Sequence, residues 1–211
     1  MTAFALRTIA LAATAALVAC AGIAPDKPAR ATLYDFGPGA VATASTAPTQ
    51  AAIVLADIEA SSALEGNALL YRLGYADANQ LHPYAQARWS APPPQLVRQR
   101  LREQLGRERA VLDASESAAL ARTGGAAPRV LRVELEEFSQ VFDSPSQSFG
   151  ALRLRATLFE NTAAGERFLA QRSIVQRQPA PAPDAAGGAR ALAAAADAAA
   201  QEISQWLAQT R

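Results

Sequence analysis

The sequence predicts one α+β domain, a mixed and mostly antiparallel sheet with helices packed on one face, and three observations carry that prediction. Leu131-Arg132-Val133-Glu134-Leu135-Glu136 and Leu152-Arg153-Leu154-Arg155-Ala156-Thr157-Leu158 alternate apolar with polar residues. That two-residue period belongs to strands with one buried and one wet face. Leu192, Ala196, Ala199, Ile203 and Trp206 step by four and three within Ala189 to Gln209, the stripe of an amphipathic helix. A second stripe, Val97, Leu101 and Leu105 with Leu96 beside it, follows Pro92-Pro93-Pro94, and proline suits the first turn of a helix.

The elements follow in order. Thr32 to Phe36 reads as a short strand stopped by Gly37-Pro38-Gly39, and residues 41–50 form a polar loop. Ala52 to Ile58, apolar and β-branched, fits a central strand. A hairpin is expected with Ala68 to Tyr75 and Tyr84 to Trp89 as arms around Ala76-Asp77-Ala78-Asn79. A helix from about Pro94 to Gly106 carries Arg98, Arg102 and Glu103 on its wet face. Asp113-Ala114-Ser115-Glu116 is a capping-box pattern opening a shorter helix.

The β signal resumes after Gly124-Gly125. Leu131, Val133 and Leu135 are in phase, but Phe138 and Phe142 are out of it, which places a β-bulge near Glu136-Glu137. Turns at Asp143 to Ser146 and Asn161 to Gly165 join three antiparallel strands, the last running Phe168 to Arg177. Gln178 to Gly188 reads as a flexible loop before the final helix.

The N-terminus carries an address. Arg7 precedes an uncharged apolar run ending in Leu17-Val18-Ala19-Cys20, the chain's single cysteine. A short basic start, an apolar core and small residues before a cut site are the parts of a secretory signal, and the run is shorter than the ~20 residues of a membrane span. The tetrapeptide resembles a bacterial lipobox, which implies cleavage before Cys20 and acylation of that residue. Residues 1–19 are then a signal peptide, 20–30 a lipidated tether and 31–211 the domain. Each buried CH₂ contributes ~0.8 kcal/mol to anchoring. Ala21 stands where Asp typically retains a lipoprotein at the inner membrane, so the expected location is the outer membrane, with the domain in the periplasm.

Composition narrows the function. Lys and Arg total 20 against 19 Asp and Glu, too balanced for a nucleic-acid footprint. With no second cysteine, no disulfide staples the fold. His82, the only histidine, sits before Pro83 at the hairpin turn and reads as an exposed turn residue, with no nucleophile elbow, cysteine partner or clustered metal ligands near it in sequence. Glu134, Glu136 and Glu137 could pass for paired catalytic carboxylates, but Glu134 and Glu136 share the wet face of a strand, and no phosphate-binding glycine pattern occurs. The chain does not read as an enzyme; no cofactor or metal is expected.

The segment from Leu70 to Leu105 is the least ordinary. It gathers Tyr71, Tyr75, Tyr84, Trp89 and the proline triplet. Aromatics on a hairpin can meet a partner, because they combine apolar area with a polar tip. They can equally close the core, a reading that burial statistics favour for Trp89.

Leu33-Tyr34-Asp35-Phe36-Gly37-Pro38, Ile53 to Ile58, Tyr71-Arg72, and Arg88-Trp89-Ser90-Ala91-Pro92-Pro93 leading to Leu96, Leu101 and Leu105 together resemble the ABC-type transport auxiliary lipoproteins, the PqiC-like family. The first motif has Tyr-Asp-Phe where Tyr-x-Leu is usual. The resemblance implies a non-enzymatic accessory subunit beside an MCE-domain (mammalian cell entry) periplasmic protein and its inner-membrane permease and ATPase. It implies a role in envelope integrity, with phospholipid as a candidate cargo and a homo-oligomer allowed. Tyr71, Tyr75, Tyr84 and Trp89 are the candidate partner-binding residues. Two rival readings remain: an assembly lipoprotein with no lipid-handling role, and a hydrolase using His82.

Overall fold

One long strand organises the sheet. The computed structural model describes residues 30–39, 50–122 and 127–210; the signal peptide, Cys20, the tether up to residue 29, most of the 41–50 loop and the Gly124-Gly125 break lie outside them. The described strands are β1 (Thr32–Tyr34), β2 (Ile53–Leu55), β3 (Glu59–Ala60), β4 (Ala68–Leu73), β5 (Asp77–Trp89), β6 (Val111–Leu112), β7 (Arg129–Ser144), β8 (Gln147–Thr162) and β9 (Gly165–Pro179). The helices are α1 (Pro93–Leu105), α2 (Ala114–Arg122) and α3 (Ala185–Gln209). None of the described helices is long and apolar enough to cross a membrane.

Along one edge β7 pairs antiparallel with β8, which pairs antiparallel with β9. Along its other edge β7 receives three short parallel strands in succession: β2 at Arg129 to Leu131, β3 at Glu134 and Leu135, and β4 at Gln140 to Phe142. Beyond these, β6 pairs with β2, β5 with β4 and β1 with β5. The sheet is therefore mixed. The expected bulge is present, as a register shift between Leu135 and Glu137.

The core lies between this sheet and the helices. Leu131, Leu135, Leu154 and Leu158 of the sheet are buried with Leu101 and Leu105 of α1 and Leu192 and Ile203 of α3. Burying each such side chain contributes ~1.5–3 kcal/mol. The two long helices are joined by an Arg100–Asp197 ion pair at 3.1 Å. The other face of β7 and β8 stays wet. Arg153 meets Glu136 at 2.7 Å, Arg155 meets Glu134 at 3.3 Å, and Arg132 reaches Glu166 on β9 at 2.7 Å. Exposed pairs of this kind are worth ~0–1 kcal/mol each, and the three glutamates of the sequence motif find their role here and in bracing β4.

Several boundaries differ from expectation: the strand expected from Ala52 to Ile58 covers only Ile53–Leu55, and the last strand, expected from Phe168 to Arg177, runs Gly165–Pro179. α3 starts at Ala185, because Asp184 caps it by accepting from the Gly187 amide at 2.6 Å. Gly187 and Gly188 are therefore helical and buried, packed against Ala182 and Gln140 where a side chain would not fit. The hairpin turns at residues 74–76, and residues 77–79, expected as the turn, begin β5. Gly74 permits this: its Cα lies so near β7 that a Cβ would sit 3.1 Å from the Phe142 carbonyl oxygen.

Candidate functional site

The aromatic hairpin sits at the C-terminal end of β7. Cross-strand pairing sets Tyr71 opposite His82, and their rings stack with centroids 5.3 Å apart. Tyr71 also touches Tyr84 at 4.6 Å and meets Phe142 of β7 edge-on at 6.0 Å. His82 is thus a half-buried strand residue and not the exposed turn residue its sequence context suggests, because the turn falls earlier.

Polar contacts lock this cluster to the rest of the domain. The Tyr84 hydroxyl donates to Gln140 Oε1 at 2.8 Å, and Gln140 Nε2 donates to Ser148 Oγ at 2.7 Å. Gln140 is fully buried, and a satisfied buried amide of this kind specifies register as well as stability. Burial raises the Tyr84 pKa above the ordinary tyrosine value, and the neighbouring Tyr71 and Asp184 push the same way. On the wet side, Arg72 pairs with Glu137 at 3.2 Å and donates to the Ala78 carbonyl at 3.2 Å.

The four sequence candidates separate. Tyr75 stands at the hairpin tip with 48% of its surface exposed, its amide donating to the Phe142 carbonyl at 3.3 Å. Tyr71 and Tyr84 are half-buried braces beneath it. Trp89 is 0% exposed, with Phe36 edge-on at 5.6 Å and Phe138 at 5.5 Å. It offers no surface to a partner and closes the core. The β7–β8 turn lies at the same end of the sheet, and beyond it the Arg177 guanidinium sits 3.7 Å over the Phe149 ring.

Sequence reasoning missed Gln140, Ser148 and Gly188, whose partners are 8 to 56 residues apart. It also missed Leu33, Phe168 and Val175, the other large apolar residues that stand exposed among the described residues. Their signal is an apolar residue on a sheet edge, which looks in sequence like any strand residue. Among the described residues no group of three or more His, Cys, Asp or Glu side chains could hold a metal ion.

Comparison with known proteins agrees with this architecture. The family model for the ABC-type transport auxiliary lipoprotein component matches residues 34–204. A solved Xanthomonas campestris protein described as DUF330 is similar at 19% identity and a TM-score of 0.69, covering 85% of this chain and 96% of that one. A second solved structure, of an uncharacterized protein, is similar at 13% identity and a TM-score of 0.59, covering 84% and 99%. At these identities the likeness is one of fold. No curated protein matches the sequence.

Proposed function

The chain belongs to the ABC-type transport auxiliary lipoprotein component family, and from that premise we propose that it is the lipid-anchored accessory subunit of an MCE-type lipid transport system. In this reading acylated Cys20 holds the domain at the periplasmic face of the outer membrane. The hairpin tip docks on the MCE-domain protein, while ATP hydrolysis and membrane passage belong to separate ATPase and permease subunits. The absence of a phosphate-binding loop from the sequence suits that division.

The observation that supports docking is the contrast within the aromatic segment. Tyr75 is exposed on a tip whose neighbouring rings pack on Tyr71, His82 stacked, Tyr84 tilted and Phe142 edge-on, with Tyr84 tied to the buried Gln140. A rigid aromatic on a braced turn loses little conformational freedom on binding, which is how a few residues come to dominate an interface. Co-purification tests the function: the tagged chain, extracted in mild detergent, should carry the MCE-domain protein, permease and ATPase with it. Recovery of cell-wall assembly proteins in their place would favour the assembly reading.

A further inference from the structure

The short strand β3 leaves a notch in the sheet. On the outer side of β7, β2 is continued by β6 and β4 by β5, but β3 has no second neighbour among the described residues. Helix α1 connects β5 to β6, so it passes this notch. Between them lies an open groove of about 920 Å³, lined by residues 57–60, Glu65 and the Pro92–Arg102 side of α1. That volume falls within the ~300–1,000 Å³ of ordinary binding clefts.

Three features define what the groove can hold. An unpaired strand edge presents backbone N–H and C=O groups, which recognise another extended backbone. Ile58, buried at the base of the groove, and Pro92 and Pro94 on its wall give apolar, rigid contact. The charges do not cancel: Arg98 is paired with Asp57 at 3.2 Å and Arg102 with Glu116 at 3.6 Å. Glu59 and Glu65, both exposed, have no ion-pair partner among the described residues. With Asp57, Glu59 and Glu65 against Arg98 and Arg102, the lining carries one excess negative charge, which disfavours anionic lipid headgroups and favours Lys or Arg.

We propose that this groove is a second docking site, where an extended, basic segment of a protein partner adds as a strand along the open edge of β3. Backbone hydrogen bonds hold it in register, and Glu59 and Glu65 select its charge. The site is separate from the hairpin tip and does not depend on the transport reading.

The test uses the full-length chain in neutral detergent with two labelled peptides, Lys-Val-Lys-Val-Lys-Val and Glu-Val-Glu-Val-Glu-Val. The basic peptide should bind saturably, more weakly as salt rises, and slow amide exchange at residues 58–61. A Glu59→Lys/Glu65→Lys variant should lose at least tenfold in affinity for it and gain binding of the acidic peptide. Both glutamates are exposed, so the variant should keep the wild-type circular dichroism spectrum. No binding to the wild type, equal binding of both peptides, or binding that leaves residues 58–61 unprotected would overturn the proposal. So would protection of residues 58–61 by phosphatidylglycerol vesicles but not by the peptide.

Discussion

Gly188 of α3 and Gln140 of β7 are in such close contact that a Cβ on the glycine would fall on Gln140 Oε1, the atom that accepts the Tyr84 hydroxyl hydrogen bond. The start of α3, the spine of the sheet and the aromatic hairpin therefore meet at one side chain. Gly188→Ala should destabilise the protein by ~1–3 kcal/mol through overpacking, despite alanine's helix propensity advantage of ~1 kcal/mol. Gly66→Ala, where nothing lies within 4 Å of the added carbon, should stay within ~0.5 kcal/mol. Urea denaturation of both variants checks the difference.

Tyr84 gives the same junction a spectroscopic signature. Its hydroxyl is held above the ordinary value of 10.0 in the folded protein by burial, with Tyr71 and Asp184 adding to it. The unfolded chain releases that proton near pH 10 and the folded chain does not, so this contribution to stability is complete below pH 10 and is lost as pH rises above it. Absorbance titration should show a phenolate phase that appears only with unfolding, and Tyr84→Phe should abolish it. The same variant leaves Gln140 Oε1 without its donor, at a cost of ~1–2 kcal/mol.

Trp89, at the end of β5, and Tyr75, in the turn that precedes β5, should behave oppositely. Trp89→Ala removes a fully buried ring and should cost ~3–5 kcal/mol. Trp89→Phe should cost less, because it also removes an indole N–H that has no hydrogen-bond partner among the described residues. Tyr75→Ala should leave the urea midpoint unchanged and reduce association with the transport complex.

Helix α2 should be acid-sensitive at its start. Asp113 Oδ1 accepts from the Glu116 amide at 2.8 Å, and Glu116 Oε2 accepts from the Asp113 amide at 2.7 Å. The Glu116 amide bond, then the Ser115 hydroxyl, hold the Asp113 pKa below its ordinary 3.8. A depressed carboxylate pKa stabilises the fold above the unfolded value, and that contribution is lost as pH falls through the folded value. Protection of the Glu116 amide, its exchange rate relative to that of the unfolded chain at the same pH, should therefore fall below pH 3.8 in the wild type. Asp113→Asn should keep a cap but lose this pH dependence.

The capping box was legible because its four residues are contiguous and its geometry is local. The bulge at Glu136-Glu137 was legible for a related reason: a phase change in a two-residue pattern has few other causes. A strand is expected across Ile53 to Leu55, but its parallel pairing with β7 was not legible, nor was the existence of β3. With three and two residues these strands carry no period, and their placement depends on β7, more than seventy residues later. Gly187-Gly188 resembled a loop because glycine is a poor helix former; the packing of Gln140, distant in sequence, is what makes glycine necessary there. Tyr71, Tyr75, Tyr84 and Trp89 were legible as a group. Their division into tip, braces and core required the turn to be placed, and the polar run Asp77 to Asn79 pointed to the wrong residues.

The central claim is that the exposed hairpin tip is the surface that meets the transporter. Site-specific photo-crosslinking in cells tests it most directly, with p-benzoylphenylalanine at position 75 and, as a control, at Ala163 in the β8–β9 turn at the opposite end of β8. The account predicts a crosslink from position 75 to the MCE-domain protein and none from position 163. Equal crosslinking from both positions, or crosslinking from 163 alone, would contradict it.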